Sequence, residues 1–246
     1  MTTNDLWVPY HRPRADARLR LICLPYACGS ASMFHSWPEA LPADVEVCGV
    51  QLPGRETRLQ EPPVRKMDQL VPMLTDALRP WLDLPFAIFG HSMGALVGFE
   101  MMRELRRRGE QQPIHLFASG CHAPQYPDPA VVYDLPDDDF LGYLHSIGGL
   151  SDVMAGNKEL IALMLPMMRA DSEVTETYTW QPAAPFDCPI TAFAGLEDPM
   201  TTHVEVEGWR EHTTNRFGLA YFPGDHWFLQ SARDEVLQAI VKNLNK

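Results

Sequence analysis

The chain has 246 residues, 46% of them hydrophobic and 21% charged. That length supports one well-buried domain with an insertion and is short for two large domains. The formal net charge of −12 lacks the basic footprint of a nucleic-acid binder. Its plainest consequence is solubility. No apolar run approaches the ~18 residues of a membrane span. Met1 to Pro9 lack the charged and apolar regions of a signal peptide. The five cysteines, Cys23, Cys28, Cys48, Cys121 and Cys188, are odd in number and contain no C-x-x-C pair. Cys23, Cys48 and Cys188 sit in or beside apolar runs, as small buried hydrophobes do. Neither a disulfide framework nor a metal cluster is expected, no cofactor is implied, and a reducing cytoplasm suits the thiols.

In chain order, Arg20 to Leu24 is an apolar run stopped by Pro25 and predicts a strand. The small-residue loop Pro25-Tyr-Ala-Cys-Gly-Ser-Ala31 follows, then a short helix around Met33 to Leu41. Val45 to Val50 predicts a second strand, and Leu52-Pro-Gly-Arg55 a turn. Met67, Leu70, Val71, Leu74, Ala77, Leu78 and Trp81 recur at helical spacing, predicting a helix over 67–82. Phe86 to Phe89 reads as a buried parallel strand ending at Gly90. A helix then runs from Gly94 through Leu105, with Gly109 as its C-cap. Further strands are expected at Ile114–Ala118, Ile190–Ala194 and Phe217–Phe222, and a closing amphipathic helix at Asp234–Leu244. Strands alternating with helices imply an α/β fold with a mostly parallel central sheet. The alternation breaks between Ala123 and Pro185, where helices are expected at Asp137–Ile147 and Lys158–Ala170, with a Gly148-Gly149 break between them. A separate run follows at Asp171–Trp180. Residues 1–124 and 185–246 therefore read as the core, and 125–184 as a helical lid inserted over the sheet's C-terminal edge.

Gly90-His91-Ser92-Met93-Gly94 is a G-x-S-x-G pattern between a buried strand and a helix. In that context it is the nucleophile elbow of an α/β-hydrolase fold. Glycines at 90 and 94 let neighbouring backbone pass without Cβ clashes, and the strained turn lifts the Ser92 hydroxyl above the sheet. The Met93 N–H, at the helix N-terminus, is aimed where an oxyanion develops. The second oxyanion donor belongs in the loop after an early strand; Ala27 is the first choice, with Tyr26 and Cys28 as alternatives.

Among the nine histidines, His226 is the best general base. It follows the Phe217–Phe222 strand and precedes the last helix, in the Ser, acid, His order of this fold. His203 is the runner-up. His212 lies on a polar helical stretch and is expected to be solvated, and His91 supports the turn or touches substrate. Asp198, in the loop after the Ile190–Ala194 strand, is the orienting acid. Glu197 would point away if Asp198 points in, and Asp225 is too close in sequence to His226 to reach its ring correctly.

These motifs together resemble the type II thioesterases of polyketide and nonribosomal peptide synthesis. Leu24-Pro-Tyr-Ala-Cys-Gly-Ser-Ala31 resembles the family's F-P-x-A-G-G-S-A loop, and Leu52-Pro-Gly-Arg-Glu56 its Y-P-G-R-E. Phe89 to Leu96 matches its elbow, and Ser119-Gly-Cys-His-Ala-Pro124 its next strand end. Leu135 to Leu141, Gly148-Gly149 and Leu165 to Asp171 match its lid, and Gly224 to Phe228 its histidine loop. The chain departs at Tyr26, where histidine is frequent, and at Cys28, where glycine is usual.

The resemblance implies hydrolysis of stalled or aberrant acyl and aminoacyl groups from the phosphopantetheine arm of an acyl or peptidyl carrier protein, without metal or cofactor. Ser92, Asp198 and His226 would be catalytic, and the N–H groups of Ala27 and Met93 would form the oxyanion hole. Residues of Ile161–Met168 would line or pack the acyl pocket. Carrier proteins are acidic, so an acidic enzyme needs a local basic patch. Arg103, Arg106, Arg107 and Arg108, or Arg55 and Arg58, are the candidates. A monomer is the default. A carboxylesterase or lipase, an acyltransferase, or a catalytically dead binding module on the same scaffold are the competing readings.

Overall fold

Six strands form one wholly parallel sheet in the order β2-β1-β3-β4-β5-β6. They are β1 (Leu19–Leu24), β2 (Val45–Gly49), β3 (Phe86–His91), β4 (Leu116–Ser119), β5 (Ile190–Gly195) and β6 (Phe217–Phe222). This computed structural model describes residues 6–128 and 131–245. The first five residues of the Met1–Pro9 stretch and residues 129 and 130 of the 125–184 segment lie outside the described residues.

Alternation along the strands feeds two apolar layers. Ile22, Leu24, Phe86 and Ile88 pack on one face with α2 (Met67–Leu78) and α3 (Met93–Arg108). Leu21, Cys23, Ala87 and Phe89 pack on the other with α1 (Trp37–Ala40) and the C-terminal helix Arg233–Leu244. Both faces are covered, so the central strands read as unbroken apolar runs. Gly109 closes α3 in the left-handed conformation, φ 69°, as its sequence position implies.

The β4 strand starts two residues later than expected, at Leu116, and three helical expectations also differ. The helix expected over 67–82 stops at Leu78 and tightens into a 3-10 turn, Arg79–Trp81. Pro80 has no N–H to continue the helical ladder. The helix expected around Met33–Leu41 divides into a 3-10 turn, Ala31–Phe34, and α1, whose first turn contains Pro38. Between β4 and β5 the chain forms α4 (Asp137–Ser146), α5 (Asp152–Ala155) and α6 (Lys158–Glu176). The helix and the separate run expected around Asp171 are thus one continuous helix that carries Pro166 inside it. These helices bury a small core of their own, including Phe140, Leu144, Ile161, Met167 and Met168.

His212 corrects a further expectation. It is buried, with Nε2 2.6 Å from Gln125 Oε1 and its ring edge-on to Phe99. The turn Gly208–His212 packs against α3, and burial, with Arg103 nearby, lowers its pKa to about 4. Among the described residues no helix is long and apolar enough to cross a membrane.

His91 ends β3 fully buried. Its Nδ1 lies 2.9 Å from Ser119 Oγ and its Nε2 3.0 Å from the His226 carbonyl oxygen. A carbonyl only accepts, so Nε2 carries the hydrogen and the Ser119 hydroxyl donates to Nδ1. Burial first, and the neighbouring His226 second, lower its pKa to about 3.

Two outcomes follow from this packing. A Cβ at Gly90 would lie 2.1 Å from the Gly94 carbonyl oxygen, a contact between two backbone segments. Gly90→Ala should therefore lose about 3 kcal/mol or more in urea unfolding, at the upper end for overpacking; an unchanged midpoint would contradict the packing described. For His91 the native pKa lies below the ordinary value of ~6.5, so the unfolded chain binds the extra proton first. Stability is then lost as pH falls from about 6.5 toward 3, at up to roughly 1.4 kcal/mol per pH unit. Unfolding free energies at pH 7, 6 and 5 should fall less steeply for His91→Gln than for the parent chain, whereas parallel slopes would show that His91 is not held neutral.

Candidate active site

The sheet order reverses at β1: β2 lies on one side and β3 on the other. Ligands of open parallel sheets bind outside the strands' carboxyl ends at such a switch point. The loops leaving β1 and β3 carry Ala27 and Ser92, and both residues line a cavity of about 240 Å³.

Ser92 joins β3 to α3 with φ 53° and ψ −121°, a left-handed backbone that non-glycine residues rarely adopt. Its N–H donates to the Ser119 carbonyl at 2.7 Å, and its carbonyl accepts from Ala95 at 2.9 Å. A Cβ at Gly94 would sit 2.4 Å from the Leu24 carbonyl oxygen, so only glycine lets α3 begin against β1. Met93 is the first residue of α3, where backbone N–H groups lack helical partners.

The β1 loop turns tightly, with the Gly29 N–H donating to the Tyr26 carbonyl at 2.8 Å. Cys28 occupies the left-handed region, φ 67°, a conformation that suits the glycine usual here. Its N–H donates to Asp171 Oδ2 at 2.7 Å, which removes Cys28 as a free oxyanion donor. Its thiol pKa is pushed up by burial and by Asp171. The Tyr26 ring stands edge-on to His91 and to Trp227.

His226 also lines the cavity, and its Nδ1 is 2.9 Å from Asp198 Oδ2. The other Asp198 oxygen accepts the Met200 N–H at 2.8 Å, and both side chains of the pair are almost fully covered. Burial works against the Asp198 charge, but the hydrogen bond and charge of His226 bring its pKa below the ordinary value. The competitors lie elsewhere. Glu197 is exposed, Asp225 accepts the Trp227 N–H, and exposed His203 bonds the Tyr221 hydroxyl. His91 is buried and donates to the His226 backbone carbonyl.

One wall of the cavity comes from α4 through Tyr143 and Leu144, from Ile147 just after it, and from α6 through Ser172, Thr175 and Glu176. The residues Ile161–Met168 do not line it; Met167 and Met168 pack inside the helical segment instead. Arg55 and Arg58 are also not surface cations. Arg55 is buried against Asp171, and Arg58 is buried beneath the Trp7 ring and paired with Glu61. Asp171 is the residue that sequence reasoning passed over. A carboxylate three residues after buried Met168, on one helical stripe, is the signal that a partner awaits it.

A family model for the thioesterase domain matches residues 19–244. The gramicidin S biosynthesis protein GrsT of Aneurinibacillus migulanus is 41% identical, over 97% of this chain and 93% of that protein. The solved RedJ thioesterase from the prodiginine pathway of Streptomyces coelicolor superposes with a TM-score of 0.88 at 41% identity, covering 94% and 92% of the two chains. The type II thioesterase BorB, from the borrelidin biosynthetic cluster, superposes with a TM-score of 0.86 at 36% identity, covering 98% and 97%. The parallel sheet, the serine at its switch point and the match over nearly the whole length agree: the chain is an α/β-hydrolase and belongs to the thioesterase domain family.

Proposed function

We propose that the protein is a type II thioesterase that hydrolyses acyl or aminoacyl thioesters from the phosphopantetheine arm of carrier proteins in polyketide or nonribosomal peptide synthesis. The observation that carries the reading is the Asp198–His226 hydrogen bond opening on the same cavity as Ser92. The names and near full-length similarity of GrsT, RedJ and BorB support the pathway class.

Ser92 Oγ attacks the thioester carbonyl while His226 Nε2 takes its proton. Asp198 holds the Nδ1–H tautomer and favours the imidazolium as it forms. The N–H groups of Met93 and Ala27 receive the oxyanion. The carbon–sulfur bond breaks, and the sulfur leaves with the proton from His226. A thiol of pKa near ~8.5 needs little acid assistance to depart. Water then attacks the acyl-serine, giving its proton to His226, and the acid product and free Ser92 are released. Residues 125–184, with α4 and α6, act as a lid whose inner wall shapes the acyl pocket.

The carrier meets an acidic enzyme, so a local basic surface has to guide it. With Arg55 and Arg58 buried, the arginines of α3 are the remaining cluster. Arg103, Arg106 and Arg107 share a groove with Lys66, although Glu100 and Glu104 partly neutralise them. Five free thiols, four of them buried, suit a reducing cytoplasm.

Ser92→Ala should lower thiol release from an acylated carrier protein by a factor of about 10³ or more. Asp198→Asn should cost about 10³–10⁴ in kcat, and Glu197→Gln nothing. Full activity in Ser92→Ala would sink the mechanism, and faster turnover of a matched oxygen ester than of the thioester would favour a carboxylesterase. Arg107→Glu should raise KM for the acylated carrier while leaving a small acyl-thiol substrate unaffected; equal effects on both would dismiss the α3 cluster as a docking surface.

A further inference from the structure

Asp171 and Arg55 form a bidentate ion pair, with Asp171 Oδ1 and Oδ2 each 2.7 Å from a guanidinium nitrogen. Their side chains are 2% and 5% exposed. Such a pair is seldom a net source of stability, because the desolvation of both charges offsets their attraction. This one has additional contacts. Asp171 Oδ2 also accepts the Cys28 N–H at 2.7 Å, and Arg55 Nη1 also donates to the Gly29 carbonyl at 3.0 Å. Two successive residues of the β1 loop are therefore gripped by one ion pair, whose carboxylate comes from α6. The same helix presents Ser172, Thr175 and Glu176 to the cavity.

We propose that Asp171 is a positioning residue for the oxyanion hole: braced by Arg55, it takes the Cys28 N–H, fixes the loop turn, and leaves the preceding Ala27 N–H to face the reacting carbonyl. This rests on Ser92 as nucleophile and Ala27 as donor. It makes the seating of α6 a condition for a complete hole, so the wall that contacts the acyl group and the donor that stabilises its oxyanion move as one body. An acyl chain that unseats α6 loses turnover through the hole as well as through its fit.

The test compares two variants with the parent on a short-chain acyl N-acetylcysteamine thioester, and measures the affinity of phenylboronic acid. The boronic acid adds to a serine hydroxyl to give a tetrahedral anion and so reports on the oxyanion hole. In Asp171→Asn one oxygen becomes an amide nitrogen that cannot accept. kcat should fall about 10-fold or more, short of the 10²–10³-fold typical for removing a donor outright. KM should stay within about 2-fold, and boronate affinity should fall in step with kcat. The double variant Arg55→Met/Asp171→Leu leaves no buried unpaired charge, so it should stay folded and still show the same losses. It decides the matter if Asp171→Asn fails to fold.

Parent-like kcat and boronate affinity in either folded variant would overturn the inference. So would a loss of kcat with boronate affinity retained. Parent-like turnover of the thioester in Ser92→Ala would instead overturn Ser92 as nucleophile, and the inference with it.

Discussion

The site depends on how closely α3 can start against β1. Where Gly94 passes the Leu24 carbonyl oxygen there is no room for a side chain, and Gly90 is equally confined by Gly94 itself. Those contacts force the chain to reverse within one residue, and Ser92 accepts the left-handed backbone that results. The strain is local and is held by the buried residues on either side, His91 and Met93. What it delivers is a hydroxyl at the sheet's switch point and a fresh helix N-terminus beside it.

Two covered carboxylates hydrogen-bond groups around that serine. Asp198 orients the His226 ring, and Asp171 with Arg55 orients the loop after β1. A third buried group, neutral His91, ties the His226 backbone to β4 through Ser119. Removing any one of them leaves a buried polar atom without its partner, which is costly in a low-dielectric interior. The arrangement fixes the His226 Nδ1 on Asp198 and the Cys28 N–H on Asp171.

Much of this was legible in the sequence where the determinant is local. The elbow is five residues with steric reasons for each glycine, and the strand runs are apolar because both sheet faces are covered. Asp198 and His226, which chain order after β5 and β6 singles out, are joined by a hydrogen bond. What escaped has its cause elsewhere in the chain. Asp171 looked like the start of a new segment, because its partner Arg55 lies 116 residues earlier and only the fold brings them together. His212 looked solvated because its own neighbours are polar, yet its ring rests on Phe99 of α3. Arg55 and Arg58 looked like surface charge for the same reason. Periodicity overran Leu78 because Trp81 fits the helical stripe, whereas Pro80 cannot supply the hydrogen bond.

The cysteines acquire a meaning from the chemistry beside them. An enzyme that opens thioesters works next to potential rivals for the acyl group, since any thiolate within reach would capture it by exchange. Cys121 lines the cavity with Ser92, and Cys28 borders a narrower recess on the same serine. Burial raises both thiol pKa values, with acidic neighbours adding to the effect. A thiol kept protonated is a poor nucleophile. In the proposed mechanism these two protonated sulfurs leave the acyl group to the Ser92 oxygen until water takes it.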